Sequence, residues 1–226
     1  MSGAHSATVD CDNCSPEEYD EYCYVYSHVY NNIIHDGSAY HSGANYLYSD
    51  VSSAHNTFEN NIMYGTGGMA LYHHCGKENI GVNNIVHKTA ILEYMYGGCQ
   101  KADVDTRPQQ YENYNNIYLM ENMDNFTFGR SQDRYYELPP DFHHNIYWSM
   151  NPGDEELQKF PDNQNWLEWQ AAGNDSGSLW QDPLFEDPEA HRYILAENSP
   201  AWNLGINQID VGNIGIQDKG KYLKRK

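Results

Sequence analysis

Polar and apolar positions along this chain follow one short phrase that recurs five times: a polar pair, then isoleucine, then two residues of mixed character. The copies are Asn31-Asn32-Ile33-Ile34-His35, Asn60-Asn61-Ile62-Met63-Tyr64, Asn83-Asn84-Ile85-Val86-His87, Asn115-Asn116-Ile117-Tyr118-Leu119 and His144-Asn145-Ile146-Tyr147-Trp148. The second asparagines are 29, 23, 32 and 29 residues apart. Periods in this range mark stacked repeat architectures. A spacing of 23 fits one bare solenoid turn, and the longer ones add six to nine residues of loop. The isoleucine and the residue two later fall on one side of a strand, because side chains alternate with period two, and that side is expected to be the interior. The asparagine before the isoleucine is expected at the bend into the strand, where it tolerates left-handed backbone angles. Coils stacked about 4.8 Å apart would bring these amides into a hydrogen-bonded ladder. They are read as holding turns, not substrate. The predicted fold is all-β, a single-stranded right-handed parallel β-helix (solenoid). Leucine-rich and hexapeptide solenoids fit less well, since the Leu frame and the six-residue period are both absent.

After residue 150 the pattern changes. Asn165-Trp166-Leu167-Glu168-Trp169-Gln170-Ala171-Ala172-Gly173 predicts a short helix stopped by glycine. Segments around Trp180-Gln181-Asp182-Pro183-Leu184-Phe185 and Ser199-Pro200-Ala201-Trp202 follow. An open solenoid end exposes strand edges and core, so this region is expected to be a C-terminal cap. The organisation predicted is an irregular lead over 1–22, a β-helix domain over 23–215 whose cap is 150–215, and a basic disordered tail over 216–226. The repeat begins so soon after Met1 that earlier N-terminal coils are expected to be missing from the chain.

Composition narrows the partners. There are 32 acidic residues against 13 basic ones, a formal charge of −19, and five of the basic residues are Lys219, Lys221, Lys224, Arg225 and Lys226. No basic stripe remains to neutralise phosphates, which argues against nucleic acid. A polyanionic glycan is disfavoured for the same reason, unless calcium bridges it; a neutral polysaccharide or oligosaccharide is the expected partner. No apolar run reaches membrane-spanning length. Met1 to Asp10 lacks the apolar stretch of a signal peptide, while sequons at Asn13, Asn125 and Asn174 point toward an extracellular or secreted protein. Five cysteines, Cys11, Cys14, Cys23, Cys75 and Cys99, leave at least one unpaired if oxidised. Cys11 and Cys14 form a CxxC with no second pair to complete a zinc site, so an N-terminal disulfide or free thiols are expected.

Several phrases occur together and in order: Asn32-Ile33-Ile34-His35-Asp36, Tyr48-Ser49-Asp50-Val51-Ser52-Ser53, Gly67-Gly68, His74-Cys75-Gly76-Lys77-Glu78-Asn79-Ile80, Thr106-Arg107-Pro108, and the Trp-Gln-Ala, Asp-Pro-Leu-Phe and Ser-Pro-Ala ending. Over roughly residues 30 to 215 the set resembles bacterial β-helix proteins of the pectate-lyase-like kind, related to the glycoside hydrolase family that includes α-L-fucosidases and xylanases. The resemblance implies a glycoside hydrolase, or a degenerate relative, acting on a neutral polysaccharide. It places the first catalytic acid at Asp50. The second is expected near residue 91, where the nearest acid is Glu93, and His74 is marked as a site residue. Two other readings compete: a non-catalytic glycan-binding or extracellular structural solenoid, and a polysaccharide lyase or epimerase.

Residue spacing gives a separate view of the same face. Counting back 11 positions from the ladder asparagines reaches Asp50, His73 and Asp105, so Asp50, His73 or His74, and Asp105 or Arg107 are expected to line one face on successive coils. Glycoside hydrolysis needs two carboxyl groups, about 5 Å apart for retention or roughly 6.5–9.5 Å for inversion. Adjacent and next-but-one coils supply such separations, so Asp50 with Glu93 or Asp105 is the candidate pair. His74 could hold a carboxylate or a sugar hydroxyl, and Arg107 could lower an acid's pKa or bind substrate. Glu78 is either a substrate contact or a solvated turn residue. Tyr40, Tyr46, Tyr48, Tyr94 and Tyr96, expected in the longer loops, could stack on sugar rings. No cofactor is called for, and calcium is the one metal that loop aspartates such as Asp50 could take.

Overall fold

The computed structural model describes residues 27–37, 45–49, 53–65, 69–74, 78–88, 91–96, 111–120, 128–130, 141–149, 151, 153–157, 160 and 163–214. The chain winds through successive three-strand coils: β1 (Ser27–Tyr30), β2 (Ile33–His35) and β3 (Asn45–Ser49); β4 (Asn56–Glu59), β5 (Ile62–Tyr64) and β6 (Met69–His74); β7 (Asn79–Val82), β8 (Ile85–His87) and β9 (Ile91–Tyr96); β10 (Tyr111–Tyr114), β11 (Ile117–Met120) and β12 (Phe128–Arg130). A further pass starts with β13 (Asp141–His143) and β14 (Ile146–Ser149), and β15 (Leu179–Trp180) pairs with β14. Each strand hydrogen-bonds in parallel to its equivalent in the next coil, giving sheet A (β1-β4-β7-β10-β13), sheet B (β2-β5-β8-β11-β14-β15) and sheet C (β3-β6-β9-β12). The fold is an all-β parallel solenoid.

The corners explain the repeated phrase. Asn31, Asn60, Asn83, Asn115 and His144 stand between sheets A and B with φ of 52–57°, and asparagine and histidine tolerate this left-handed region better than branched residues do. The asparagine directly before isoleucine does not take the left-handed angle expected of it: the first polar position turns the chain and the second makes the ladder. Asn32 donates its backbone N–H and side-chain amide to Asn61 Oδ1, at 3.1 and 2.9 Å. Asn61 does the same to Asn84, Asn84 to Asn116, and Asn116 to Asn145. Asn61, Asn84, Asn116 and Asn145 are fully buried. Their amides also bond a carbonyl of sheet A, as in Asn84 Nδ2 to Phe58 O at 2.8 Å. The corner between sheets C and A repeats the device: His55 and Glu78 are left-handed, and Asn56 donates its backbone N–H and amide to Asn79 Oδ1.

The isoleucines do not form the interior rung expected of them. Inside the solenoid are the residues that follow them, Met63, Val86, Tyr118 and Tyr147, packed with Phe58, Tyr111 and Phe142 of sheet A and Leu47 and Leu71 of sheet C. Ile62, Ile85, Ile117 and Ile146 face the other way and meet Tyr193, Leu195, Ala201, Ile206 and Ile209 in a second core. Sheet B is thus covered on both faces, which is why both parities of its strands are apolar.

The C-terminal region divides between two tasks. The short helix α1 (Trp166–Ala171) begins at a capping box: Asn165 Oδ1 accepts from Glu168 N, and Glu168 Oε2 accepts from Asn165 N, both at 2.9 Å. Trp166, Trp169 and Phe160 close the end of the interior, with the Trp166 ring 5.2 Å from that of Tyr147. Beyond them the antiparallel pair β16 (Phe185–Asp187) and β17 (Arg192–Leu195), and the segment to Ile214, run back along sheet B. That segment is tied to several coils: Asn207 N donates to Asn83 Oδ1 at 2.7 Å, Asn115 Nδ2 to Gly205 O at 3.2 Å, and Lys88 Nζ pairs with Glu189 at 2.7 Å.

Candidate functional site

Sheet C carries the candidate face. Leu47 and Ser49 on β3 are buried while Tyr48 between them is 45 % exposed, as strand alternation requires. Parallel register aligns Tyr48 with Tyr72 on β6 and Tyr72 with Tyr94 on β9, so one position on three consecutive coils is tyrosine; the next is Gly129 on β12. Tyr72 escaped the sequence reading. Its signal is the spacing of tyrosines 48, 72 and 94, each close to one turn.

The two flanking rows differ in character. Leu47, Leu71, Glu93 and Phe128 share one register, and Ser49, His73 and Met95 share the other. His73 is fully buried, with Nδ1 2.9 Å from Ser49 Oγ and its ring 4.7 Å from that of Tyr111 and 6.0 Å from that of Phe58. It is a polar member of the core, not a surface contact for a glycan. The expected place of His73 on that face is corrected accordingly: its register partners are Ser49 and Met95. Counting from the ladder fails because the arc from sheet C to its asparagine is 12 residues from Ser49 to Asn61 but 11 from His73 to Asn84. Glu93 lies in the row of Leu71, which is fully buried, and not in the row of Tyr48.

His74 is in register with Tyr96. Glu78 occupies a left-handed corner and places Oε2 2.9 Å from His55 Nδ1, joining equivalent corners of two coils. Tyr46 is half-buried; its hydroxyl donates to Tyr64 O at 3.1 Å and accepts from Gly37 N at 3.3 Å, and burial raises its pKa. Asp50, Asp105, Arg107, Tyr40 and the five cysteines lie outside the described residues, as do the 1–22 lead and the 216–226 tail.

Comparison of the chain with family models, with curated proteins and with solved structures finds no match. The strand register establishes the solenoid, and sheet C is the surface from which a function can be argued. No helix among the described residues is long and apolar enough to cross a membrane. Among the described residues, the side chains grouped so that they could hold a metal, Glu112, Asp141 and His143, are on sheet A, away from the tyrosine row.

Proposed function

We propose that the protein is a carbohydrate-active solenoid that holds a neutral polysaccharide along sheet C. The observation that carries this reading is the tyrosine row of Tyr48, Tyr72 and Tyr94, with Tyr48 exposed. Tyrosine offers a flat apolar face to a sugar ring and a hydroxyl to its polar edge. Adjacent coils repeat at about 4.8 Å, so such a row follows an extended ligand in steps instead of gripping a single small molecule. The formal charge of −19 favours a neutral chain over a uronic-acid polymer. A ligand of this kind fits an extracellular setting.

Hydrolysis is the second reading, favoured by Asp50, which directly follows Ser49 at the end of the strand bearing Tyr48. Its proposed partner Glu93 shares the register of a core leucine, which weighs against a catalytic pair and puts binding first. Affinity electrophoresis on a panel of neutral polysaccharides, with released reducing ends measured in parallel, separates the two. Retardation on at least one glycan, lost in Tyr48→Ala and accompanied by no sugar release, supports binding. Release abolished by Asp50→Asn would establish hydrolysis instead, and retardation by none of the panel would overturn the carbohydrate reading.

A further inference from the structure

Sheet A carries a different chemistry. Glu112 on β10 and Asp141 on β13 are register partners on neighbouring strands, and His143 stands two positions beyond Asp141 with the buried Phe142 between them. A ligand-type atom from each of the three lies within 4.8 Å of the other two. Two carboxylates directly opposite each other across strands repel. A cation placed between them turns that repulsion into attraction. We propose that Glu112, Asp141 and His143 form a binding site for a divalent transition-metal cation of the zinc type.

The histidine is already oriented for this role. Its ring stacks on Tyr114 with centroids 5.0 Å apart and planes 7° from parallel, and Nε2 lies 3.2 Å from Glu112 Oε1. On its other side, Nδ1 is 2.9 Å from Nδ1 of His144. Two facing ring nitrogens share one hydrogen, so one ring donates and the other accepts. When His143 Nε2 gives its lone pair to a cation, its Nδ1 carries the proton and donates to His144. An outer partner that fixes tautomer and ring direction in this way is the usual support of a ligand histidine. The imidazole nitrogen selects against calcium and magnesium, which prefer oxygen, and for zinc and its first-row neighbours. Three protein ligands leave a position for water. Ligand bonds of about 2.0–2.2 Å draw the three atoms closer together, which the partly exposed carboxylates allow by rotating. His28 and Glu59 on the same sheet, 2.8 Å apart, form a His–carboxylate pair with no second carboxylate in a metal-binding set among the described residues, and serve as an internal control.

The test is calorimetric titration of the full chain with ZnCl2, repeated for the variants His143→Gln, Glu112→Gln, Asp141→Asn, His144→Asn and His28→Gln. Counting the loss of one site separates this centre from any zinc taken by the cysteines. The expected result is that His143→Gln, Glu112→Gln and Asp141→Asn each remove one zinc or weaken one site at least tenfold. His144→Asn keeps the residue type of the other four corners and should weaken the same site about 10–100-fold. His28→Gln should bind as the parent does. Asp141 is the most exposed of the three, so its variant keeps the test usable if another fails to fold. The proposal is overturned if the folded Asp141→Asn and His143→Gln proteins bind zinc like the parent, or if CaCl2 displaces zinc from this site at equal concentration.

Discussion

Asn145 donates its side-chain amide to Oδ1 of Asp175 across 3.3 Å, and at that bond the buried ladder passes from neutral amides to a carboxyl group. Asp175 is 1 % exposed and also accepts from Ser178 Oγ, Tyr147 OH and Trp169 Nε1, the last at 2.7 Å. Asn61, Asn84, Asn116 and Asn145 each accept two bonds from the coil before, so the acceptor for Asn145 itself must be supplied by something other than another ladder asparagine. Ser178 Oγ takes the Asn145 backbone N–H at 2.7 Å, and Asp175 takes the amide. The carboxyl thus ends the ladder and anchors the aromatic cap to it. Burial raises its pKa, against the pull of the hydrogen bonds from Trp169, Ser178, Asn145 and Tyr147.

Replacing Asp175 with asparagine turns one accepting oxygen into a donor facing donors. The expected cost is about 1–3 kcal/mol of unfolding free energy at neutral pH, the price of leaving a buried donor unsatisfied. Urea denaturation followed by tryptophan fluorescence measures it, because Trp166 and Trp169 lie in the cap. An unchanged midpoint would mean that the carboxyl is already protonated and behaves as an amide would.

The two asparagines of one phrase should respond unequally to glycine. Asn83→Gly keeps the left-handed φ of 52° and loses the part-buried bonds to Asn207 and to Asn60 Oδ1, a cost of about 1 kcal/mol. Asn84→Gly removes the acceptor of two Asn61 bonds and the donor to Phe58 O inside the core, and should cost at least twice as much. Equal destabilisation of the two variants in thermal melts would contradict the division of roles.

His87 gives the packing of the C-terminal segment a pH dependence. It is fully buried with Nδ1 2.9 Å from Tyr193 OH, and its pKa is lowered to about 4 by burial first and by Lys88 next, with His191 adding to the shift and Glu189 opposing it. The folded pKa is below the unfolded one, so the unfolded chain binds the extra proton. The contribution of this site to stability is therefore present above pH about 6.5 and falls as pH drops from there toward 4. His87→Gln should show a shallower loss of stability than the parent between pH 7 and 5. Identical slopes would remove His87 as the cause.

Much of the fold was legible because the ladder depends on residue type at fixed spacing: Asn-Asn-Ile marks a left-handed corner, a buried amide and the start of a strand. The helix after Asn165 was legible through its glycine stop, Gly173, which takes a φ of 89°. Which side of sheet B faced inward was not, because alternation gives parity and not direction. The clue was present in Ile62-Met63, Ile85-Val86 and Ile117-Tyr118, where both parities are apolar and both faces must be covered. The second ladder, Asn56 to Asn79, went unread because its corners carry His55 and Glu78 instead of a first asparagine. For the site, Tyr48 was one of five tyrosines named for stacking, but register across sheet C could not be counted from sheet B when one connecting arc is a residue shorter. His73 was drawn into the candidate site by that count and Glu78 by its place in the His74 to Ile80 phrase, and packing gives them a core position and a corner.

The most direct test of the glycan face is binding measured against ligand length. If sheet C holds an extended neutral chain, affinity for a series of oligosaccharides of the polysaccharide that retards the protein should rise with each added sugar across the span of three coils, about 10 Å between first and third tyrosine, and then level off. Tyr48→Ala should shorten that rise by one step. Affinity independent of length, or a series unchanged by Tyr48→Ala, would contradict a ligand lying along the tyrosine row.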